Sequence, residues 1–253
     1  MIAALALSLV VGAAPRRVVS LVPSLTDVVL ALGEGDRLVG VTRFDDDPRV
    51  SSLPRVGGYL DLDLEAVVRL RPDLVLAFDG AAEQPAIAAL RRTGLRVLAL
   101  RADSLSEVER AADVVAEALG RPEGARKLRD SLEGLREQVP PGGPVSVAVA
   151  VGWKPLVLAG RGSYLEPLIE AAGGRNVVTS SLAWPTSSVE ELVARAPSVV
   201  IDGAPEERAA APWTALLTAR GARLVRLPDG GLFRPGLRAI RALPELAAAL
   251  RGR

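Results

Sequence analysis

The chain has 253 residues, with 31 Lys and Arg against 30 Asp and Glu for a net charge of +1, so it has room for one large core or two smaller ones and lacks the basic excess that marks a nucleic-acid or anionic-membrane partner. It contains no cysteine and no histidine, which removes disulfide frameworks, thiolate nucleophiles, zinc fingers, Ser-His-Asp relays and imidazole ligation of haem or a transition metal.

Residues 1–14, MIAALALSLVVGAA, form an apolar segment that reads as a signal peptide, too short to span a bilayer and followed by small residues suited to cleavage near Ala13 or Ala14. It lacks the usual positively charged start, and a buried first strand is the competing reading. With no cysteine at that point, lipid attachment there is not expected. Residues 18–21 predict a short strand, broken by Pro23 and Ser24 before a helical run over 25–32. Ser24 with Asp27 fits a capping pattern, and Gly33 and Gly35 close the helix. Its free N-terminal amides are suited to an anion or a carbonyl-rich ligand, or simply to water. A second strand over 37–41 runs into TRFDDDP. There Asp45, Asp46 and Asp47 point in different directions without EF-hand spacing, as in a solvated loop rather than a metal site.

The stretch at 64–80, LEAVVRLRPDLVLAFDG, has a degraded copy at 189–203, VEELVARAPSVVIDG. Each carries a glutamate (Glu65, Glu190), a proline seven residues later (Pro72, Pro197), then an aliphatic run. Helix, proline stop and continuously apolar strand are the marks of a βα unit in a parallel sheet. Two further echoes keep the same order: residues 89–100 against 216–227, and 30–41 against 169–178. An ordered set of this kind predicts an internal duplication. The expected fold is α/β, with two Rossmann-like lobes of parallel sheet.

Between the copies, 106–120 and 122–139 read as helices, the second with Ala125, Leu128, Leu132, Leu135 and Val139 on one stripe. PPGGP at 140–144 ends it. The resulting division is a lobe at 15–120, a single rigid linking helix at 121–140 and a lobe at 141–253. In the second lobe, 145–151 reads as a strand, 152–155 as a turn, and Ser163 with Glu166 as the cap of a helix to Ala172. The loop at 180–188 and the turn-rich 228–236 precede and follow the second copy, and a final helix covers 237–250.

The chain has eight aromatic residues, and its cores read as Leu, Val and Ala. Phe44, Tyr59, Phe78, Trp153, Trp184 and Phe233 fall instead at strand ends or in loops, which in parallel sheets border the ligand crevice. Rings from both halves predict a large, partly apolar ligand held between lobes. Pro23 and Ser24, at the first strand end, join that set.

The blocks RVVSLVPSLTDVVLALG, LVGVTRF followed by DDP, LDLEAVVRLRPDLVLAF, AGRGSYLEPLIEAAGGRNV, AWP and FRPGLRAI, in that order and spanning nearly everything after Pro15, resemble the BtuF-like family of periplasmic cobalamin-binding proteins. The resemblance implies two α/β lobes on a rigid helix, cobalamin as a transported ligand rather than a cofactor, and delivery from the periplasm to an inner-membrane ABC importer by a monomer. By position, Phe44, Tyr59, Phe78, Trp184 and Arg234 are similar to ligand-cleft residues. Glu65 and Glu190 match the pair that docks onto permease arginines, although the helix dipole also favours first-turn glutamates for local reasons. Cobalamin relatives often carry Trp where this chain has Tyr59 and Phe78. Haem ligation would need Tyr59, Tyr164 or Met1, whereas a corrinoid brings its own cobalt, which ranks cobalamin ahead of haem or a siderophore. Two other classes compete with a binding protein: a sensor lobe of the same fold, and an enzyme using Asp79, Asp202 or Glu166 with Ser24 or Ser163. Neither serine stands in a G-x-S-x-G elbow.

Overall fold

The computed structural model describes residues 14–58, 61–80, 83–101, 105–139, 143–204, 212–227 and 231–252. The first lobe is a parallel sheet of β1 (Val18–Ser20), β2 (Leu38–Gly40), β3 (Leu74–Phe78) and β4 (Val97–Leu100) in the order β2-β1-β3-β4. Its helices are α1 (Pro23–Ala31), α2 (Leu64–Arg69) and α3 (Gln84–Arg92). β1 is buried throughout and β3 up to its last residue, which is why both read as unbroken apolar runs: each face of the sheet is covered.

After α4 (Leu105–Ala118) and α5 (Pro122–Glu137) the plan repeats. The second lobe contains β5 (Val145–Trp153), β6 (Leu156–Leu158), α6 (Leu165–Ala171), β7 (Gly174–Asn176), α7 (Val189–Ala194), β8 (Val199–Asp202), α8 (Pro212–Ala219), β9 (Arg223–Val225), α9 (Leu237–Arg241) and α10 (Leu243–Arg251). β7, β5, β8 and β9 pair in parallel in the order of the first sheet. The duplication extends to backbone strain. Arg71 and Ala196, each the residue before the proline of its copy, hold φ of 46° and 47°. The following proline disfavours the right-handed helical region, and both residues still bond back into the helix, to Val68 O at 3.0 Å and Val193 O at 3.1 Å.

Three local expectations are corrected. β5 runs on to Trp153 and is met by the antiparallel strand β6, where a simple turn was expected. The N-cap of α1 is Val22, without a side-chain bond, and Pro23 and Ser24 lie inside the first turn. Ser163 does not cap α6; its Oγ donates to Gly160 O at 2.7 Å.

The expected single strut is one part of a broader junction. α5 has 16 residues, about 24 Å of helix, and packs on α4, α9 and α10, while α1 packs on α4 and α9. One apolar cluster runs through the junction, including Val18 and Leu76 of the first lobe, Leu132 of α5, and Val149 and Ile201 of the second. The lobes are therefore coupled by shared burial as well as by chain connection. The expected consequence is one cooperative unfolding transition. Guanidinium melts followed by tryptophan emission, which reports only the second lobe, and by far-ultraviolet circular dichroism should coincide, and Leu132→Ala should lower stability by about 2–5 kcal/mol without splitting the transition.

Candidate ligand-binding cleft

The carboxyl ends of the strands face a cleft of about 890 Å³ between the lobes, within the roughly 300–1,000 Å³ of ligand sites. Pro23, Ser24, Phe44, Phe78 and Arg101 line it from the first lobe, and Ser163, Tyr164, Trp184, Phe233 and Arg234 from the second. Phe44 and Trp184 are 44% and 43% exposed, so one ring on each wall has area still to bury.

The loop carrying Trp184 is pinned along its backbone. Gly160 N donates to Ala183 O at 3.0 Å, Arg161 N to Ser180 O at 2.8 Å and Leu158 N to Pro185 O at 3.0 Å. Contact is close enough that a Cβ on Gly160 would stand 2.1 Å from Leu182 O. Tyr164 meets Trp184 edge-on, with centroids 5.8 Å apart, and donates its hydroxyl to Leu232 O at 3.1 Å. Burial raises that hydroxyl's pKa well above the usual tyrosine value. Phe233, next to Leu232, lies over Gly203 at the end of β8, where a Cβ would come within 2.3 Å of its ring. Trp184, Tyr164 and Phe233 thus form one connected wall.

On the opposite wall, the three consecutive aspartates have separate jobs. Asp45 accepts from Thr42 N at 2.8 Å and Thr42 Oγ1 at 2.6 Å, and Thr42 Oγ1 in turn accepts from Phe44 N at 3.2 Å, which fixes the turn presenting Phe44. Asp47 accepts from Arg49 N at 2.9 Å at the start of a short 3-10 turn, and its bonds to Arg49 hold its carboxyl down to about 2. Asp46 reaches the other lobe, 2.5 Å from Arg234 and 2.8 Å from Arg238. Arg238 also donates to Asp27 at 2.8 and 3.0 Å. Desolvation raises the Asp27 carboxyl despite the opposing pull of Arg238. Among the described residues no group of three or more His, Cys, Asp or Glu could hold a metal.

Of the residues expected at the cleft, Pro23, Ser24, Phe44, Phe78, Trp184, Phe233 and Arg234 come together there. Tyr59 lies outside the described residues. Trp153 does not reach the cleft: the extension of β5 and its pairing with β6 enclose the indole in the second lobe's own apolar cluster. Its Nε1 donates to Asp202 Oδ1 at 2.9 Å. Asp202 is likewise buried, 3.3 Å from Arg226, and not directed into the crevice. Tyr164, Arg101, Asp27 and Arg238 also line the cleft. Tyr164 was discoverable from its place in a turn following a strand; the pairing of Asp27 with Arg238, 211 residues apart, leaves no local pattern. Glu65 and Glu190 are the second residues of α2 and α7, capped by Asp63 and Ser188. Both are exposed, and neither has an ion-pair partner among the described residues.

Two α/β lobes of one topology, closing on an aromatic cleft, define a solute-binding protein. The chain belongs to the periplasmic binding protein family, which it matches over residues 18–211, a family of binding proteins and not enzymes. It is 27% identical over 244 residues to the vitamin B12-binding protein of Photorhabdus laumondii, covering 94% of this chain and 89% of that one. The fold is similar to the vitamin B12-binding protein BtuF of Vibrio cholerae, with a TM-score of 0.78, 24% identity and coverage of 94% and 97%. It is similar also to the heme-binding protein BhuT in complex with two hemes, with a TM-score of 0.77, 27% identity and coverage of 92% and 98%.

The Gly203–Phe233 contact gives a test of the cleft wall that needs no ligand. Gly203→Ala should cost about 1–3 kcal/mol through overpacking. Adding Phe233→Ala should recover much of that loss, a coupling measurable in a double-mutant cycle by denaturant unfolding.

Proposed function

We propose that this chain captures a corrinoid, cobalamin or a close relative, between its lobes and delivers it to an inner-membrane ABC importer. In this reading it acts as a monomer in the periplasm after export through residues 1–14. The observation that carries the ligand class is the pairing of aromatic area with balanced charge. The cleft lining holds Asp27, Glu83 and Glu107 against Arg101, Arg234 and Arg238, and each of these arginines already has an acidic partner, Arg101 through Glu107 at 3.7 Å. Such a site suits a large macrocycle without net charge, such as cyanocobalamin, held by ring contacts and a few polar groups. A corrinoid needs no ligand from the protein for its cobalt.

Haem is the second reading, favoured by the similarity to a heme-binding protein. Its iron would want a side-chain ligand. The chain has no histidine, and the Tyr164 hydroxyl is engaged with Leu232 O while burial disfavours its phenolate. The haem reading therefore rests on Tyr59. Titration with cyanocobalamin should quench tryptophan emission saturably through Trp184 and give a calorimetric affinity of micromolar or tighter. Trp184→Ala should weaken it about tenfold or more. A flat response to cyanocobalamin and dicyanocobinamide, with hemin binding that Tyr59→Phe abolishes, would replace the corrinoid reading with the haem one.

For delivery, the support is the equivalent, exposed and unpaired placement of Glu65 and Glu190. Glu65→Lys with Glu190→Lys should abolish ligand transfer to the importer in reconstituted vesicles while leaving the affinity of the free protein unchanged. Loss of ligand binding in that variant would count against docking.

A further inference from the structure

The cleft contains strong anion-binding groups that are not offered to a ligand. Arg234 and Arg238 both line it, their side chains 46% and 25% exposed, and a guanidinium in such a position is well suited to clasp a carboxylate. Asp46 opposes both of them. It stands on the other lobe, at 2.5 Å from Arg234 Nη2 and 2.8 Å from Arg238 Nη1. Asp27 holds the remaining edge of Arg238, whereas Arg234 pairs with Asp46. The two acidic neighbours of Asp46 are committed elsewhere, Asp45 to Thr42 and Asp47 chiefly to Arg49.

We infer that Asp46 is a specificity-determining residue: by pairing with Arg234 and Arg238 across the cleft it withholds their charge and makes the site refuse macrocycles that bear carboxylates. A porphyrin with free propionates would have to displace Asp46 to reach either arginine, leaving the net number of ion pairs unchanged while losing the hydration of its own carboxylates. A ligand without net charge meets no such exchange. This deepens the corrinoid reading as to what the cleft admits; what it refuses is a separate property of the same residues and is tested separately.

The test uses the full chain and metal-free deuteroporphyrin IX, so that iron ligation plays no part. Asp46→Ala should bind this dicarboxylate about tenfold tighter than the unaltered protein does, with the gain shrinking as salt is raised. The dimethyl ester of the same porphyrin should show no gain, and Arg234→Gln added to Asp46→Ala should remove most of it. Asp46 is half exposed, and the Asp27–Arg238 pair remains, so the variant is expected to fold; Asp46→Asn, which keeps the side chain's size, gives a second reading of the same effect. An unchanged affinity for deuteroporphyrin in the folded variants would overturn the inference, as would an equal gain for the ester, which would show a steric gate instead of a charge filter. A tighter dicarboxylate with no cyanocobalamin binding to the unaltered protein would sustain the filter and sink the corrinoid reading alone.

Discussion

Arg238 joins the last cleft-lining segment to the first helix, meeting Asp27 across 211 residues of sequence. Both partners are largely withdrawn from water, with side-chain exposures of 25% and 11%. A pair of this kind adds little net stability, because desolvation offsets most of the Coulombic attraction. Desolvation accordingly raises the Asp27 carboxyl in spite of Arg238. What the pair supplies is register. Where α1 packs on α9, this two-pronged hydrogen bond between a guanidinium and a carboxylate fixes distance and angle together.

The shared apolar cluster makes that register consequential. With α1, α4, α5 and α9 packed at the junction, a change of cleft width would have to repack buried Leu, Val and Ala at crystal-like density. The aromatic wall of the second lobe is similarly held, by the backbone bonds around Trp184 and by the hydroxyl of Tyr164. A ligand entering such a site finds most side chains already placed, and the entropy lost on binding is correspondingly small.

Much of this was legible in the residues, because parallel sheets covered on both sides leave continuous apolar runs and a duplicated fold leaves ordered echoes. β3 and β8 were readable from LVLAF and VVID for that reason. What could not be read was whatever depended on contacts distant in sequence. Trp153 looked like a loop aromatic because LVL after Pro155 is too short to announce β6, yet the strand pairing of Trp153 with Leu156 draws the indole inward. Ser24 and Asp27 looked like a local cap because their spacing fits one, whereas the carboxylate of Asp27 has its partner in α9. Even the DDD run hid three different hydrogen-bonding roles behind identical side chains.

The two copies differ most informatively at their strand ends. Phe78 closes β3, and the position that matches it at the end of β8 is Gly203. A glycine there would seem to remove a ring from the second wall. Instead, the ring of Phe233, thirty residues further on, fills the place above Gly203 so closely that no Cβ could coexist with it. Each lobe therefore sets a phenyl group at the end of the matching strand, β3 or β8, one from the strand itself and one from a remote segment. Both rings pack against the shared apolar cluster, so the two walls differ in the segment that supplies the ring, while Glu65 and Glu190 keep matching positions as the second residues of α2 and α7.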